Sequence, residues 1–307
     1  MQELDTPLRV TWSFTADDSP LDADAVLKVA HEIVEAGVMF VSLNGNPLRH
    51  PQIDELLKVF ADQACQVALV IPDDQHLQPG LVLQSLALNL APWFEGKILD
   101  QQGLAACLER IRVIGYEPLL WLAVLNQHLP EIPTVLAFCR QHGVAKIKLS
   151  NLPIDANFGR IDAGVIPRPA DLRQVEAALR RAVADVRGEV ALEIHDRFLW
   201  ELLADGDASL TEYGGCQAAN SLAHIDAAGQ VYPCSSWLLP LGSLLTSSFE
   251  EIWAAPLRQQ VRNDIATTPE GCDGCRDYSD CFAGCRGLSA GFDFANQGRD
   301  PLCAGRR

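Results

Sequence analysis

The sequence predicts an α/β protein: a partial (β/α)6, TIM-like barrel over residues 1–203, followed by a small cysteine-rich domain over residues 204–307. Three observations predict it. Short apolar runs alternate with longer helical patterns from residue 9 to residue 194. Such repeats imply a parallel sheet, because parallel strands need long crossovers. Seven of the ten cysteines lie from residue 216 onward. Between the two parts, residues 204–209 (ADGDAS) and Gly214-Gly215 read as a linker.

The elements follow in order. Arg9 to Phe14 alternates with period two and puts Val10, Trp12 and Phe14 on one face of a first strand. Residues 23–36 carry Leu27, Ala30, Ile33 and Val34 at helical spacing and stop at Gly37. Val38 to Leu43 reads as a second strand, residues 53–61 as a helix, Gln66 to Ile71 as a third strand and Leu86 to Leu90 as a fourth. Residues 101–114 form an amphipathic helix on Leu104, Leu108 and Ile111. Pro118 to Val124 is a fifth strand, residues 131–142 a helix, and Lys146 to Ser150 a sixth strand. A helix over 169–186, on Leu172, Val175, Leu179 and Val183, precedes a last strand at Val190 to Ile194.

Six such units suit an open barrel, with its ligand site at the C-terminal strand ends. Asn44, Asn46, Asn89, Asn126, Asn151 and His195 fall near those ends. Asparagine shapes turns and caps helices, and that is the better reading for most of them. His50 and His224 read as structural or exposed, and Asp17 and Asp18 as a helix cap or solvated. Cys65, Cys107 and Cys139 sit on apolar strands or helix faces and read as core residues.

Net charge is −16. Nucleic acid is excluded as a direct partner, because phosphate binding needs concentrated Lys and Arg. The negative field suits a basic peptide or protein. No apolar run approaches the ~20 residues that cross a bilayer, and residues 1–5 lack the basic start of a signal peptide. A cytoplasmic protein is expected. Its cysteines then read as thiols or metal ligands rather than disulfides.

Cys272, Cys275, Cys281 and Cys285 form C-x2-C-x5-C-x3-C, with Gly271, Gly274 and Gly284 beside them. Upstream, Cys216, Gly229 and Cys234 form C-x12-G-x4-C, and Cys303 follows downstream. Thiolates packed so closely repel one another unless something holds them: an iron–sulfur cluster, a zinc ion or disulfides. Zinc sites take four ligands each. Seven cysteines in this order favour two iron–sulfur clusters, of the [4Fe-4S] type.

The whole pattern resembles the SPASM domain, the auxiliary-cluster domain that ends many radical SAM enzymes. The likeness extends to Ile225-Asp226, Gly229–Cys234, Leu241–Leu244 and Ser248–Trp253. Val41–Pro51, Asn126 with Leu129–Ile132, and Phe158–Arg160 resemble segments of the radical SAM barrel. Nearly the whole chain is therefore similar to a radical SAM/SPASM protein. The resemblance implies a division of ligands. Cys272, Cys275, Cys281 and Cys303 would fully ligate a distal cluster, and Cys216, Cys234 and Cys285 would hold an inner one. Some relatives have a further inner cysteine where this chain has Leu210. That leaves an open iron, a carboxylate ligand such as Glu212 or Asp207, or another nuclearity.

The family's radical-generating motif, C-x3-C-x2-C after the first strand, is missing. Here the loop is Thr15–Asp22, without a cysteine and shorter than the family's. The Gly-Gly-Glu that would hold the amino group of S-adenosylmethionine is Asn44-Gly45-Asn46. The resemblance thus implies a degenerate, pseudo-radical-SAM/SPASM protein to which S-adenosylmethionine binding is not ascribed. Its role would be accessory: electron relay, or binding a peptide or partner enzyme during ribosomal-peptide or cofactor maturation. The alternatives are an active enzyme working at an open iron of the inner cluster or through unconventional S-adenosylmethionine chemistry, and a structural protein stapled by its clusters. Both clusters are expected in a separate domain, away from the barrel mouth.

Overall fold

The computed structural model describes residues 3–14, 21–153, 163–203, 215–291 and 297–305. The described residues hold twelve strands: β1 Arg9–Phe14, β2 Phe40–Gly45, β3 Gln66–Ile71, β4 Ser85–Asn89, β5 Phe94–Glu95, β6 Ile98–Leu99, β7 Leu119–Ala123, β8 Lys146–Ser150, β9 Ala191–Ile194, β10 Leu222–Ile225, β11 Gln230–Tyr232 and β12 Gly242–Ser243. The helices are α1 Ala23–Glu35, α2 Ile53–Asp62, α3 Gln101–Ile114, α4 Ile132–Gln141, α5 Pro169–Asp185, α6 Arg197–Leu203, α7 Phe249–Ala254, α8 Pro256–Ala266, α9 Tyr278–Cys281 and α10 Arg286–Gly291.

Ten strands share one sheet, in the order β12-β11-β10-β1-β2-β3-β4-β7-β8-β9. From β10 to β9 every pairing is parallel. The alternation of β1 buries Val10, Trp12 and Phe14 as its sequence dictates, and Leu43, Leu69, Leu88, Leu120, Leu122, Ile147 and Leu149 continue that core across the sheet. The faces of α1 through Val26, Val29, Ala30 and Ile33, of α3 through Leu104, Leu108 and Ile111, and of α4 through Val135, Leu136 and Phe138 close over it. Cys107 and Cys139 are fully buried there, and Cys65 is buried at the start of β3.

β1 and β2 meet tightly at their C-terminal ends. Gly45 has φ +88°, and a Cβ there would collide with the Phe14 carbonyl oxygen. Only glycine meets both conditions. We expect Gly45→Ala to destabilise the protein by several kcal/mol, at the large end of single substitutions, read as a fall in the urea midpoint. An unchanged midpoint would contradict this packing.

The cysteine-rich part is joined to the barrel through that same sheet. β10 pairs in parallel with β1, from Arg9 opposite Leu222 to Trp12 opposite Ile225. The β10–β11 pair is antiparallel, as is β11–β12. Further ties lie outside the sheet. Leu8 and Arg9 N–H both donate to the Ser221 carbonyl at 3.0 Å. Arg258, buried on α8, donates to the carbonyls of Ala219 at 2.8 Å and Leu4 at 3.0 Å, pairs with Glu3 at 2.9 Å, and lies over the Trp253 ring. From α1, Lys28 reaches the Leu245 carbonyl at 2.8 Å, and Glu32 accepts from the Phe249 N–H at 3.1 Å.

His224 lies in the seam between the two parts. It is fully buried, and its Nδ1 shares a 2.8 Å hydrogen bond with Thr11 Oγ1. Burial depresses its pKa to about 3, so the folded protein keeps the ring neutral. The unfolded chain takes up the proton near pH 6.5. The stability tied to this group is therefore complete above pH 6.5 and is lost as pH falls below it. The cost is about 1.4 kcal/mol per pH unit until the folded value is reached. His224→Asn should flatten that part of the acid limb in urea titrations between pH 7 and 5. An identical slope in variant and parent would refute it.

Candidate metal centre

The structure gathers the seven C-terminal thiols into two sets. Cys272, Cys275, Cys281 and Cys303 line one small cavity, together with Phe198, Tyr278, Arg299 and Asp300. Cys216, Cys234 and Cys285, the second set, lie near one another: Cys216 and Cys234 both act on the Cys285 thiol, and Cys216 on that of Cys234. Among the described residues, no three side chains converge as they would on a single metal ion. The four cavity thiols surround a space instead.

Local structure places each one. The C-x2-C pair turns on the Cys275 N–H donating to the Cys272 carbonyl at 3.0 Å, just after a short helical turn at Glu270–Cys272. Cys281 ends the single turn of α9. Phe282, Ala283 and Gly284 then follow in the left-handed region, with φ 48°, 66° and 66°. Left-handed backbone costs a non-glycine residue about 1–2 kcal/mol; against that cost the Phe282 N–H donates to the Tyr278 carbonyl and the Gly284 N–H to the Cys281 carbonyl, each at 2.8 Å. This reversal carries the chain from Cys281 in the first set to Cys285 in the second within four residues. A Cβ on Gly284 would meet Asp300 at 2.5–2.8 Å.

Arginines anchor the second set. Arg262 of α8 is buried and donates to the Cys216 carbonyl at 3.1 Å and the Ala218 carbonyl at 2.9 Å. Ser236, two residues after Cys234, donates its hydroxyl to the Leu152 carbonyl at 2.7 Å. Leu152 lies just past β8. The segment that follows Cys234 thus lies against the chain just past the C-terminal end of β8. Hairpin and barrel are one sheet, which leaves no gap between separate bodies.

The thiols sit among donors suited to thiolates. The N–H two residues on points at the sulfur in four of them: Ala218 to Cys216, Ser236 to Cys234 at 3.4 Å, Ala283 to Cys281, and Gly305 to Cys303 at 3.4 Å. Leu288 N–H reaches Cys285 Sγ at 3.5 Å. Burial nonetheless raises the thiols of Cys216, Cys234, Cys272, Cys281 and Cys285. It pushes Cys234 up to about 12 and Cys272 to about 11, and Cys285 well above its ordinary value. Neighbouring thiols add to the rise in each case. A bound cation that displaces the protons reverses this, so donor chemistry and mutual repulsion both fit a metal-held set.

Two carboxylates were not legible as site residues in the sequence. Asp300 is 1% exposed. Its Oδ2 accepts from the Cys285 N–H at 2.5 Å and its Oδ1 from the Leu302 N–H at 2.7 Å. Asp196, buried after β9, caps α6 by accepting from the N–H groups of Phe198 and Leu199 at 2.9 and 2.8 Å. Burial first, and then Asp196, push the Asp300 carboxyl well above the carboxylate range. Only the spacing Asp300-Pro301-Leu302-Cys303, beside a ligand, hinted at either.

Other sequence candidates do not join the site. Asn89 accepts from the Ala91 N–H at 3.0 Å, Asn44 from the Ser42 hydroxyl at 2.8 Å, and Asn126 donates to the Gly164 carbonyl at 3.2 Å. The Asn89 bond shapes a turn, the Asn44 bond lies within β2, and the Asn126 bond ties two segments 38 residues apart. Asn46 precedes a short helical turn at Pro47–Arg49, with no side-chain cap, and donates its N–H to Phe14. Asn151 lies one residue past β8, and His195 is exposed after β9. His50 is buried, accepts from the Gln52 N–H at 3.2 Å and packs on Phe14. Asp17, Asp18, Phe158–Arg160, Asp207, Leu210 and Glu212 lie outside the described residues, as does the linker at 204–214. Asp22, the last residue of the cysteine-free loop, is described and caps α1.

Residues 216–276 match a family model, SPASM, described as an iron–sulfur cluster-binding domain. The match holds Cys216, Cys234, Cys272 and Cys275 and ends before Cys281. No curated protein matches the chain. Solved structures share its fold. SuiB from Streptococcus suis bound to precursor peptide SuiA aligns with TM-score 0.71 at 16% identity, covering 98% of this chain and 77% of that one. SuiB bound to S-adenosylmethionine aligns with TM-score 0.68, 16% identity and coverages of 98% and 78%. Native anSMEcpe, with bound AdoMet and the Cp18Cys peptide, aligns with TM-score 0.63, 11% identity and coverages of 94% and 92%. No helix among the described residues is long and apolar enough to cross a membrane. A SPASM iron–sulfur domain is thus built onto a mostly parallel α/β sheet, and the chain as a whole has the fold of the radical SAM/SPASM enzymes.

Proposed function

We propose that the chain is an iron–sulfur accessory protein of peptide or cofactor maturation, without radical-generating chemistry of its own. Cys272, Cys275, Cys281 and Cys303 would hold one cluster, and Cys216, Cys234 and Cys285 the other, both of the [4Fe-4S] type. Bound there, such clusters supply one-electron transfer. The chain's own residues seat them: Arg262 fixes the segment of Cys216, backbone N–H groups face the sulfurs, and Asp300 holds the turn before Cys285.

The observation that carries this reading is the sorting of seven thiols into a set of four and a set of three, each backed by N–H donors. A peptide partner is supported by SuiB and anSMEcpe, whose structures hold peptides, and by the net charge of −16, which favours a basic segment. Ten unpaired thiols suit a reducing compartment, the cytoplasm. Anaerobically purified protein should carry about eight irons and absorb broadly at about 400 nm, as thiolate-bound cubanes do. Stoichiometric zinc in freshly purified, never-reconstituted protein would overturn the assignment.

One observation favours a second reading. The set of three supplies one thiol fewer than the four irons of a cubane take, which would leave one iron for another ligand. Turnover of a peptide that depends on Cys234 or Cys285 would establish an enzyme instead.

A further inference from the structure

Asp300 is bonded to both thiol sets. Its Oδ2 takes the N–H of Cys285 at 2.5 Å, in the set of three. Its backbone carbonyl takes the N–H of Cys303 at 3.0 Å, in the set of four, and its own N–H donates to the Ala283 carbonyl at 3.2 Å. Ala283 lies between Cys281 of one set and Cys285 of the other. One residue thus clamps the reversal at 282–284 to the closing loop at 300–303. At 1% exposure, its bonds have no water to replace them.

The clamp has a mate in the barrel. Asp196 stands after β9 and fixes the start of α6, whose Phe198 lines the cavity of the four thiols. Its Oδ2 is buried and finds no hydrogen-bond partner among the described residues.

The geometry points to Asp300 as a positioning residue that makes the filling of the two thiol sets interdependent, an inference that rests on the assignment of two iron–sulfur clusters. The reversal between Cys281 and Cys285 is left-handed at three successive residues, two of them not glycine, and beyond its local bond from the Gly284 N–H to the Cys281 carbonyl it is tied at Ala283 and Cys285 to Asp300. Ligation through Cys303 closes the 300–303 loop, and the closed loop presents Asp300 to Cys285. Ligation through Cys285 fixes the same reversal from its other end and so orders Cys281. Whichever set fills first thus prepares the other.

The wild-type chain tests this directly. Load it anaerobically with limiting iron and sulfide, then weigh the species by native mass spectrometry. Singly filled chains should fall about fivefold or more below the share expected of independent sites, fivefold being the low end of ordinary coupling between sites. In Asp300→Asn, which keeps the size of the side chain but removes one N–H acceptor, singly filled chains should recover towards that share. Gly284→Ala, which pushes into Asp300, should do the same. Wild-type chains that fill independently, with normal cluster absorption, would overturn the coupling alone. So would an Asp300→Asn protein that is folded by circular dichroism and loads like the parent. Zinc, or no cluster absorption at full loading, would overturn the iron–sulfur assignment and this inference together.

Discussion

Reconstituted protein given S-adenosylmethionine and dithionite is expected to form no 5′-deoxyadenosine above background, with or without a peptide. In the family that the chain resembles, reductive cleavage runs through an iron held by three thiolates after the first strand. Here no cysteine precedes Cys65. β1 ends at Phe14 and α1 starts at Ala23, so residues 15–22 make the whole connection. The second element is lost independently. At the end of β2, Asn46 offers an amide in place of a carboxylate, which removes a charge-assisted bond to an ammonium. Its backbone N–H is already committed to Phe14. Asn46→Glu alone should therefore rescue nothing, and binding of S-adenosylmethionine should be weak or absent. Mass spectrometry of the quenched reaction decides. Several turnovers that disappear in Cys234→Ala or Cys285→Ala would move the chemistry to the set of three and end the pseudoenzyme reading.

Replacing Cys275 or Cys281 by Ala is expected to open residues 270–303 to protease while sparing both the barrel and the β10–β11 hairpin. Among the described residues of 270–303 the α-helices are short: α9 and α10 are four and six residues long. The order of this segment depends on the thiol cavity and on Asp300. The hairpin does not share this dependence, since β10 is a strand of the barrel sheet and Arg258 and Arg262 tie α8 to residues 3–4 and 216–219. Cleavage within 270–303 should accelerate at least about tenfold, equal to ~1.4 kcal/mol of local opening. Unchanged resistance there would argue that the fold of this segment is independent of its metal. Equal cleavage at 222–232 would argue that the sheet is less continuous than its pairing implies.

Much of this architecture could be read from residue patterns, for identifiable reasons. Gln66–Ile71, Lys146–Ser150 and the helix at 101–114 carry clean periodicities, and the structure places them at those residues. The strand expected at Val38–Leu43 begins at Phe40, because Val38 still closes α1 by donating its N–H to Ile33. The cysteines announced a cluster domain because thiol spacing is a local chemical signal. The join of β10 to β1 was not legible: a four-residue strand carries no mark of a partner more than 200 residues away. Asp196 and Asp300 were missed for a related reason. An aspartate in a polar loop looks solvated until the fold buries it, and here both are under 5% exposed. Arg258 and Arg262 of α8 are also buried, and nothing in the sequence analysis singled them out.

The parallel pairing of β1 with β10 also governs the order in which the molecule can be made. Thr11 and His224 are 213 residues apart in the chain. On a ribosome, β1 acquires β2 early but waits for β10 roughly ten to forty seconds at ~5–20 residues per second. Through that interval one edge of a strongly apolar strand stays unpaired, the situation in which chains associate wrongly. Contacts of such long sequence separation also slow the final collapse. Cys303 emerges last of the seven thiols, well after β10. The nascent barrel therefore stays open-edged until β10 leaves the ribosome, and gains its edge partner before most of the thiols have been made.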